Sequence, residues 1–241
     1  MPEVSGVALA VAASVIYTAG MAIAWRRSSY SYSDETAKLV RSIIPVLAVL
    51  SALAVAAYLV AGTGAPLQAT YSWWALLGLA PATIMVAGLM IAFRSRGDLE
   101  VDWPLFWGSF GGALLVGIGE EVTFRGLALG GLSQQFAIPA AVALSCVLFG
   151  LLHSVNFLAG QSAGATAAQV LVTAVLGLIF AWTYVLSGGN LVLVIVLHCL
   201  YDFSLFAAPV VWGKSNPLAV WAGACGVAVA VALTVVGLQL Y

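Results

Sequence analysis

Apolar residues run along almost the whole chain in blocks of about twenty or more, and most polar positions fall between the blocks. Eight such segments are readable: Val4–Trp25, Leu39–Ala61, Tyr71–Phe93, Leu105–Gly131, Ile138–Leu158, Ala165–Leu186, Asn190–Val210 and Pro217–Tyr241. Each is long enough to cross a hydrocarbon core of about 30 Å as a helix. The pattern predicts an all-α fold, a polytopic membrane bundle of about eight transmembrane helices. No internal repeat and no divisive linker is visible, so residues 1–241 are expected to form a single transmembrane domain. Only Ser187 to Gly189 separates the sixth segment from the seventh, which predicts antiparallel neighbours.

The fourth block breaks the pattern. Its stretch Gly119-Glu120-Glu121-Val122-Thr123-Phe124-Arg125-Gly126 places three formal charges within an otherwise apolar run. The eleven Leu, Ile, Val and Phe residues between Leu105 and Leu129 favour insertion by roughly 5 kcal/mol, whereas two Glu and one Arg near the centre oppose it by about 8 to 9 kcal/mol. Alone, this segment would barely insert. It needs partners in neighbouring helices, and intramembrane ionisable residues mark functional sites by default.

Helical spacing sorts those charges. Glu121 and Arg125 are i and i+4, acid first, the favoured orientation for an ion pair along a helix. Glu120 lies about 100° round the helix and has no basic residue at i±3 or i±4. One carboxylate is thus neutralised locally while the other is left for a different task.

Composition agrees with the membrane reading: 63% of residues are hydrophobic, 7% are charged and the mean hydropathy is +1.10. A net charge of −1 gives no nucleic-acid footprint. Cys146, Cys199 and Cys225 lie in apolar runs at no metal-type spacing and read as packing residues. The first segment differs from a signal peptide: Glu3 precedes it, its apolar part is too long, and Arg26 and Arg27 follow it. Arg26, Arg27, Lys38 and Arg41 flank the first loop, Arg94 and Arg96 open the third and Lys214 lies in the seventh, while the second, fourth and sixth loops hold no Lys or Arg. By the positive-inside rule the odd loops face the cytoplasm and both termini lie outside. The acids of the first and third loops (Asp34, Glu35, Asp98, Glu100, Asp102) read as an ordinary solvated face.

The chain has two histidines, and both lie within spans. His153 closes Phe149-Gly-Leu-Leu-His153, and His198 precedes Asp202 by one turn on the same helix face. Glu120, His198 and Asp202 are near their spans' midpoints and His153 is about five residues to the cytoplasmic side, on the order of 7 Å, a scatter that helix tilt absorbs. Acids and imidazoles at one membrane depth suit hydrolysis. A desolvated glutamate can act as general base on water, one histidine can orient that water, and a second can donate to a developing oxyanion. The same set, His153, His198 and Glu120, could instead hold a divalent metal such as zinc with a position open for water.

These residues resemble a known pattern. Glu-Glu-x-x-x-Arg, Phe-x-x-x-His and His-x-x-x-(Asn or Asp), in that order on separate spans, are similar to the motifs of the CPBP family of intramembrane proteases. That family includes type II CAAX prenyl endopeptidases and bacterial proteins linked to abortive infection and bacteriocin immunity. The matching positions are Glu120, Glu121, Arg125, Phe149, His153, His198 and Asp202, and the resemblance spans roughly Leu105 to Phe206, so residues 105–206 carry the protease core motifs. It implies an eight-span fold with Glu120 as general base, His153 positioning the water, Glu121 with Arg125 as a structural pair, and His198 with residue 202 at the oxyanion. It also implies a membrane-embedded or lipidated, CAAX-like peptide as substrate. Here the chain carries Asp202, and an ionised carboxylate cannot donate a hydrogen bond. Asp202 is therefore protonated, orients His198, or binds metal.

Two other readings compete. Buried Glu, His and Asp also build relays in proton- or ion-coupled transporters, but no paired broken-helix pattern recurs in two halves. A non-catalytic immunity or binding protein could keep the same fold, yet the motif is complete.

Overall fold

The computed structural model describes residues 6–27, 36–61 and 70–241, with the side chains of 36–41 left aside. Lys38, Arg41 and residues 62–69 of the second loop, which enter the orientation argument, and Asp34 and Glu35 of the solvated face thus fall outside the described residues or side chains. Among the described residues eight helices follow one another: α1 (Gly6–Arg27), α2 (Thr36–Ala61), α3 (Leu79–Ser95), α4 (Trp103–Glu121), α5 (Ile138–Leu152), α6 (Ala163–Leu186), α7 (Leu191–Trp212) and α8 (Ala219–Leu240). Three are extended by tighter or wider turns. A 3₁₀ segment Trp73–Gly78 leads into α3, a π-helical segment Val122–Leu129 and a last turn Gly130–Leu132 continue α4, and a 3₁₀ segment His153–Ala159 continues α5. Each of the eight apolar segments read from the sequence is mainly helical among the described residues.

Seven of the described helices are long and apolar enough to cross a membrane, and α4 is not among them. That matches its composition, since α4 is the helix with the glutamates. The chain is an integral, multi-pass membrane protein. Outward positions such as Ile16, Leu59, Val60, Leu171, Val192, Val220 and Trp221 are exposed, as lipid-facing positions of a helix that is apolar all round must be.

Helix starts are set by local chemistry. Asp102 accepts from the Leu105 amide at 3.0 Å and caps α4, with Pro104 in the first turn. It is a cap as well as a solvated acid of the third loop. Asn190 caps α7 through the Leu193 amide at 3.0 Å, and the turn before it runs through Gly188 and Gly189, both at positive φ. The expected contact between α6 and α7 exists, but α7 packs chiefly on α4 and α3. A short connection fixed the direction of α7 and not its main partners. Asn216, buried beyond the end of α7, donates to the carbonyls of Met85 and Ser204 and ties the last loop to α3 and α7.

Candidate active site

Two helices meet closely at the centre. A Cβ on Gly117 would come within 3.0 Å of the Ile195 carbonyl and 3.4 Å of the Cys199 amide, so α4 and α7 approach nearly backbone to backbone. One turn further on, Glu120 and Glu121 arrive beside His198. The α-helical ladder ends at Glu121, and the wider π turns begin at Val122. Such π segments mark sites where helix regularity yields to a functional constraint.

Glu121 is fully buried and engages two partners. Its Oε2 lies 3.1 Å from Arg125 Nε, and its Oε1 lies 2.7 Å from His198 Nδ1. The i,i+4 pair read from the sequence is present, but it is half of a larger arrangement. Arg125, also fully buried, donates through Nη2 to the Gly177 carbonyl at 3.0 Å. Its guanidinium lies over the Phe149 ring, 4.3 Å from the centroid. A Cβ on Gly177 would crowd both Phe149 and Arg125, at 3.1 and 3.4 Å. The motif phenylalanine therefore has a physical task, because Phe149 covers Arg125 and meets the rings of both His153 and His198 edge-on. The other face of His198 is stacked on Phe180, at 4.9 Å and 18°.

His198 is thus clamped with Nδ1 toward Glu121 and Nε2 toward the centre. Nε2 lies 3.4 Å from Asp202 Oδ2 and 3.9 Å from Glu120 Oε2. Each ring nitrogen faces a carboxylate, an arrangement suited to an imidazole carrying protons on both. His153 differs. Its Nδ1 lies 3.2 Å from the Phe149 carbonyl, which can only accept, so Nδ1 carries the hydrogen and Nε2 presents a lone pair.

Glu120, His153, His198 and Asp202 all line one cavity of about 430 Å³. Glu121 and Arg125 do not; they stand behind it. The rest of the wall is mainly apolar, with Ile43, Leu47, Val116, Leu176 and Phe206 among its members. It also includes polar residues that the sequence reading did not single out: Asn156, Gln169, Thr173 and Tyr201. The one available signal for Asn156 was its place three residues after His153 in an apolar stretch.

The sequence left open a metal held by His153, His198 and Glu120. Among the described residues no group of three or more His, Cys, Asp or Glu side chains is arranged to hold a metal ion. His198 Nδ1 is taken by Glu121 and its Nε2 is shared between two carboxylates, while His153 is anchored to the α5 backbone. This arrangement gives the metal reading no support of its own, although Nδ1 of each imidazole is the nitrogen held and Nε2 is left toward the cavity. The three cysteines are free thiols, Cys146 and Cys199 buried and Cys225 half-buried.

Comparison with known proteins points the same way as the motifs. Residues 102–204 match the family model of Rce1-like type II CAAX prenyl endopeptidases, a protease family. The match takes in somewhat under half of the chain and covers every residue of the cluster from Glu120 to Asp202. No curated protein and no solved structure matches.

Proposed function

We propose that this chain, with an Rce1-like endopeptidase segment spanning α4 to α7, is an intramembrane endopeptidase. It hydrolyses a peptide bond of a membrane-anchored or lipid-modified substrate. The observation that supports this reading most is the convergence of Glu120, His153, His198 and Asp202, from three different helices, on one largely apolar cavity.

The cluster supports the following chemistry. A water between Glu120 and the His153 Nε2 lone pair is oriented by the imidazole and deprotonated by the Glu120 carboxylate. The resulting hydroxide attacks the scissile carbonyl carbon, and negative charge collects on the carbonyl oxygen. His198 Nε2–H faces the cavity and donates to that oxygen, held in place by Glu121 at its other nitrogen. Asp202 steadies the same ring. The proton on Glu120 then passes to the leaving amine nitrogen, and the C–N bond breaks.

The apolar remainder of the cavity suits a lipid chain or apolar side chains beside the bond to be cut. Basic residues at the ends of α1 and α3 and after α7 support an orientation with those ends on the cytoplasmic side of a cell membrane and both termini outside. The transporter reading draws less support from the site, because the four groups converge on a single cavity.

The test is direct. Purified protein in proteoliposomes is given a quenched fluorescent peptide bearing a farnesylated cysteine followed by three apolar residues, and products are identified by mass. Cleavage by the wild-type protein that Glu120→Gln lacks is expected. Equal cleavage by both proteins, or none across farnesylated, acylated and unmodified transmembrane peptides, would refute the reading.

A further inference from the structure

The polar residues that sequence reasoning passed over form an ordered strip. On the 3₁₀ segment after α5, His153 and Asn156 are three residues apart, the spacing at which side chains eclipse. Both line the cavity, and so do Gln169 and Thr173, one turn apart on α6. Asn156 Nδ2 donates to Gln169 Oε1 at 3.0 Å, and Gln161 Nε2 donates to the same oxygen at 3.0 Å. Thr166 Oγ1 in turn donates to Gln161 Oε1 at 2.8 Å. The amide planes of Asn156 and Gln169 are therefore fixed before any ligand arrives.

A peptide must be extended around the bond to be cut. Its main-chain N–H and C=O groups are then unpaired, and in an apolar cavity each unpaired group carries a large penalty. Water cannot fill that role freely where a lipid chain must also fit. Carboxamides offer donors and acceptors without charge and without regard to side-chain identity. The strip begins one turn from His153, where the water is oriented, and runs toward the loop between α5 and α6.

Resting on the peptidase reading, we infer that the Asn156–Gln169 amide pair docks the substrate's main chain and steers the scissile carbonyl toward Glu120 and His153. The pair sets binding and register and takes no part in proton transfer. If the network served only to tie the 3₁₀ segment to α6, its loss would lower stability and leave recognition of the peptide backbone unchanged.

Binding to the Glu120→Gln protein tests this without hydrolysis. The probe is the farnesylated peptide above and a set of its derivatives, each N-methylated at one peptide bond near the scissile one, followed by fluorescence anisotropy in nanodiscs. One N-methyl position is expected to weaken binding about tenfold. That penalty should vanish when Asn156→Ala removes the acceptor, Asn156 Oδ1, and should shrink when Gln169→Ala removes the group that fixes the Asn156 amide. Asn156→Ser and Gln169→Met provide the same comparison if an alanine variant fails to fold, and melting temperatures are recorded throughout. N-methyl penalties that are the same with and without the amides, or a peptide that does not bind the Glu120→Gln protein, overturn the inference. In an otherwise wild-type protein, the same alanine variants should raise KM about tenfold and change kcat less than threefold. Amide-dependent binding with no wild-type cleavage would sink the peptidase reading and leave the docking pair standing. Cleavage with an unchanged KM in both variants would do the reverse.

Discussion

One carboxylate, that of Glu121, joins Arg125 to His198: Oε2 sits 3.1 Å from Arg125 Nε and Oε1 sits 2.7 Å from His198 Nδ1. Neither Glu121 nor Arg125 has measurable exposure. The pair is therefore more than ballast for a charged helix. It holds the imidazole whose other nitrogen faces the cavity.

Glu121→Gln is the sharpest probe of that relationship. Glutamine keeps the volume, but its amide nitrogen must face either Arg125 or His198, and both are donors. A fall in kcat of about 10–100-fold is expected, by analogy with the loss of carboxylates that orient metal-ligating histidines. A variant within threefold of wild type, with an unchanged melting temperature, would show that His198 is held by other contacts.

Glu120→Gln should separate fold from function. The residue lines the cavity, and its ion-pair contact among the described residues is the long one to His198 Nε2 at 3.9 Å. The expected protein is folded, expressed at wild-type yield and inactive, because the amide keeps the shape and loses the base. Turnover within a few fold of wild type would remove Glu120 from the general-base role.

Arg125→Ala should behave in the opposite way. It leaves the buried Glu121 with His198 as its remaining partner, at a cost of up to roughly 3–5 kcal/mol, and takes the cation from the face of Phe149. Lower membrane yield and a lower melting temperature are expected along with lost activity, as measured by thermal unfolding in detergent. A stable, well-expressed and merely slow variant would place Arg125 among the reacting groups.

Much of this was legible in the chain because membrane burial is unforgiving. A charge at mid-membrane must be paired or used, so Glu120, Glu121, Arg125, His153, His198 and Asp202 stood out against runs of Leu, Val and Ala. The Glu121–Arg125 pair followed from spacing along one helix. Contacts between helices did not follow. Nothing in the order of residues revealed that Glu121 reaches across to His198, or that Gly117 lets α4 and α7 close up. The change to π turns at Val122 was hidden as well, since periodicity cannot separate 3.6 residues per turn from a slightly wider winding over eight residues. Asn156 and Gln169 were passed over because uncharged polar residues near helix ends are common, and only their hydrogen bonds set them apart.

Stringent chelation should leave the rate unchanged. The metal-free scheme needs only Glu120, His153 and His198, and no group of three His, Cys, Asp or Glu side chains is arranged to hold an ion among the described residues. Turnover measured before and after chelation, with metal content determined on the same sample, checks this. Loss of activity that returns with stoichiometric zinc would show that the donor set rearranges around an ion.

Asp202 is where the chain is least ordinary for the motif it carries. Its Oδ2 lies 3.4 Å from His198 Nε2, and the side chain is partly exposed in the cavity. A carboxylate there can steady His198, but unless protonated it cannot donate to an oxyanion. Asparagine can do both, through its oxygen to His198 and its amide to the developing charge. Asp202→Asn is therefore expected to match or exceed wild-type turnover, while Asp202→Ala, which removes both functions, should lose about 10²–10³ in rate. The pair of variants distinguishes the roles left open by the sequence. Equal losses in Asn and Ala would mean that the negative charge itself is required. With metal content unchanged in both, that charge acts on the His198 imidazolium. If a stoichiometric ion present in wild type disappears from both, Asp202 is a metal ligand and the metal-free scheme fails.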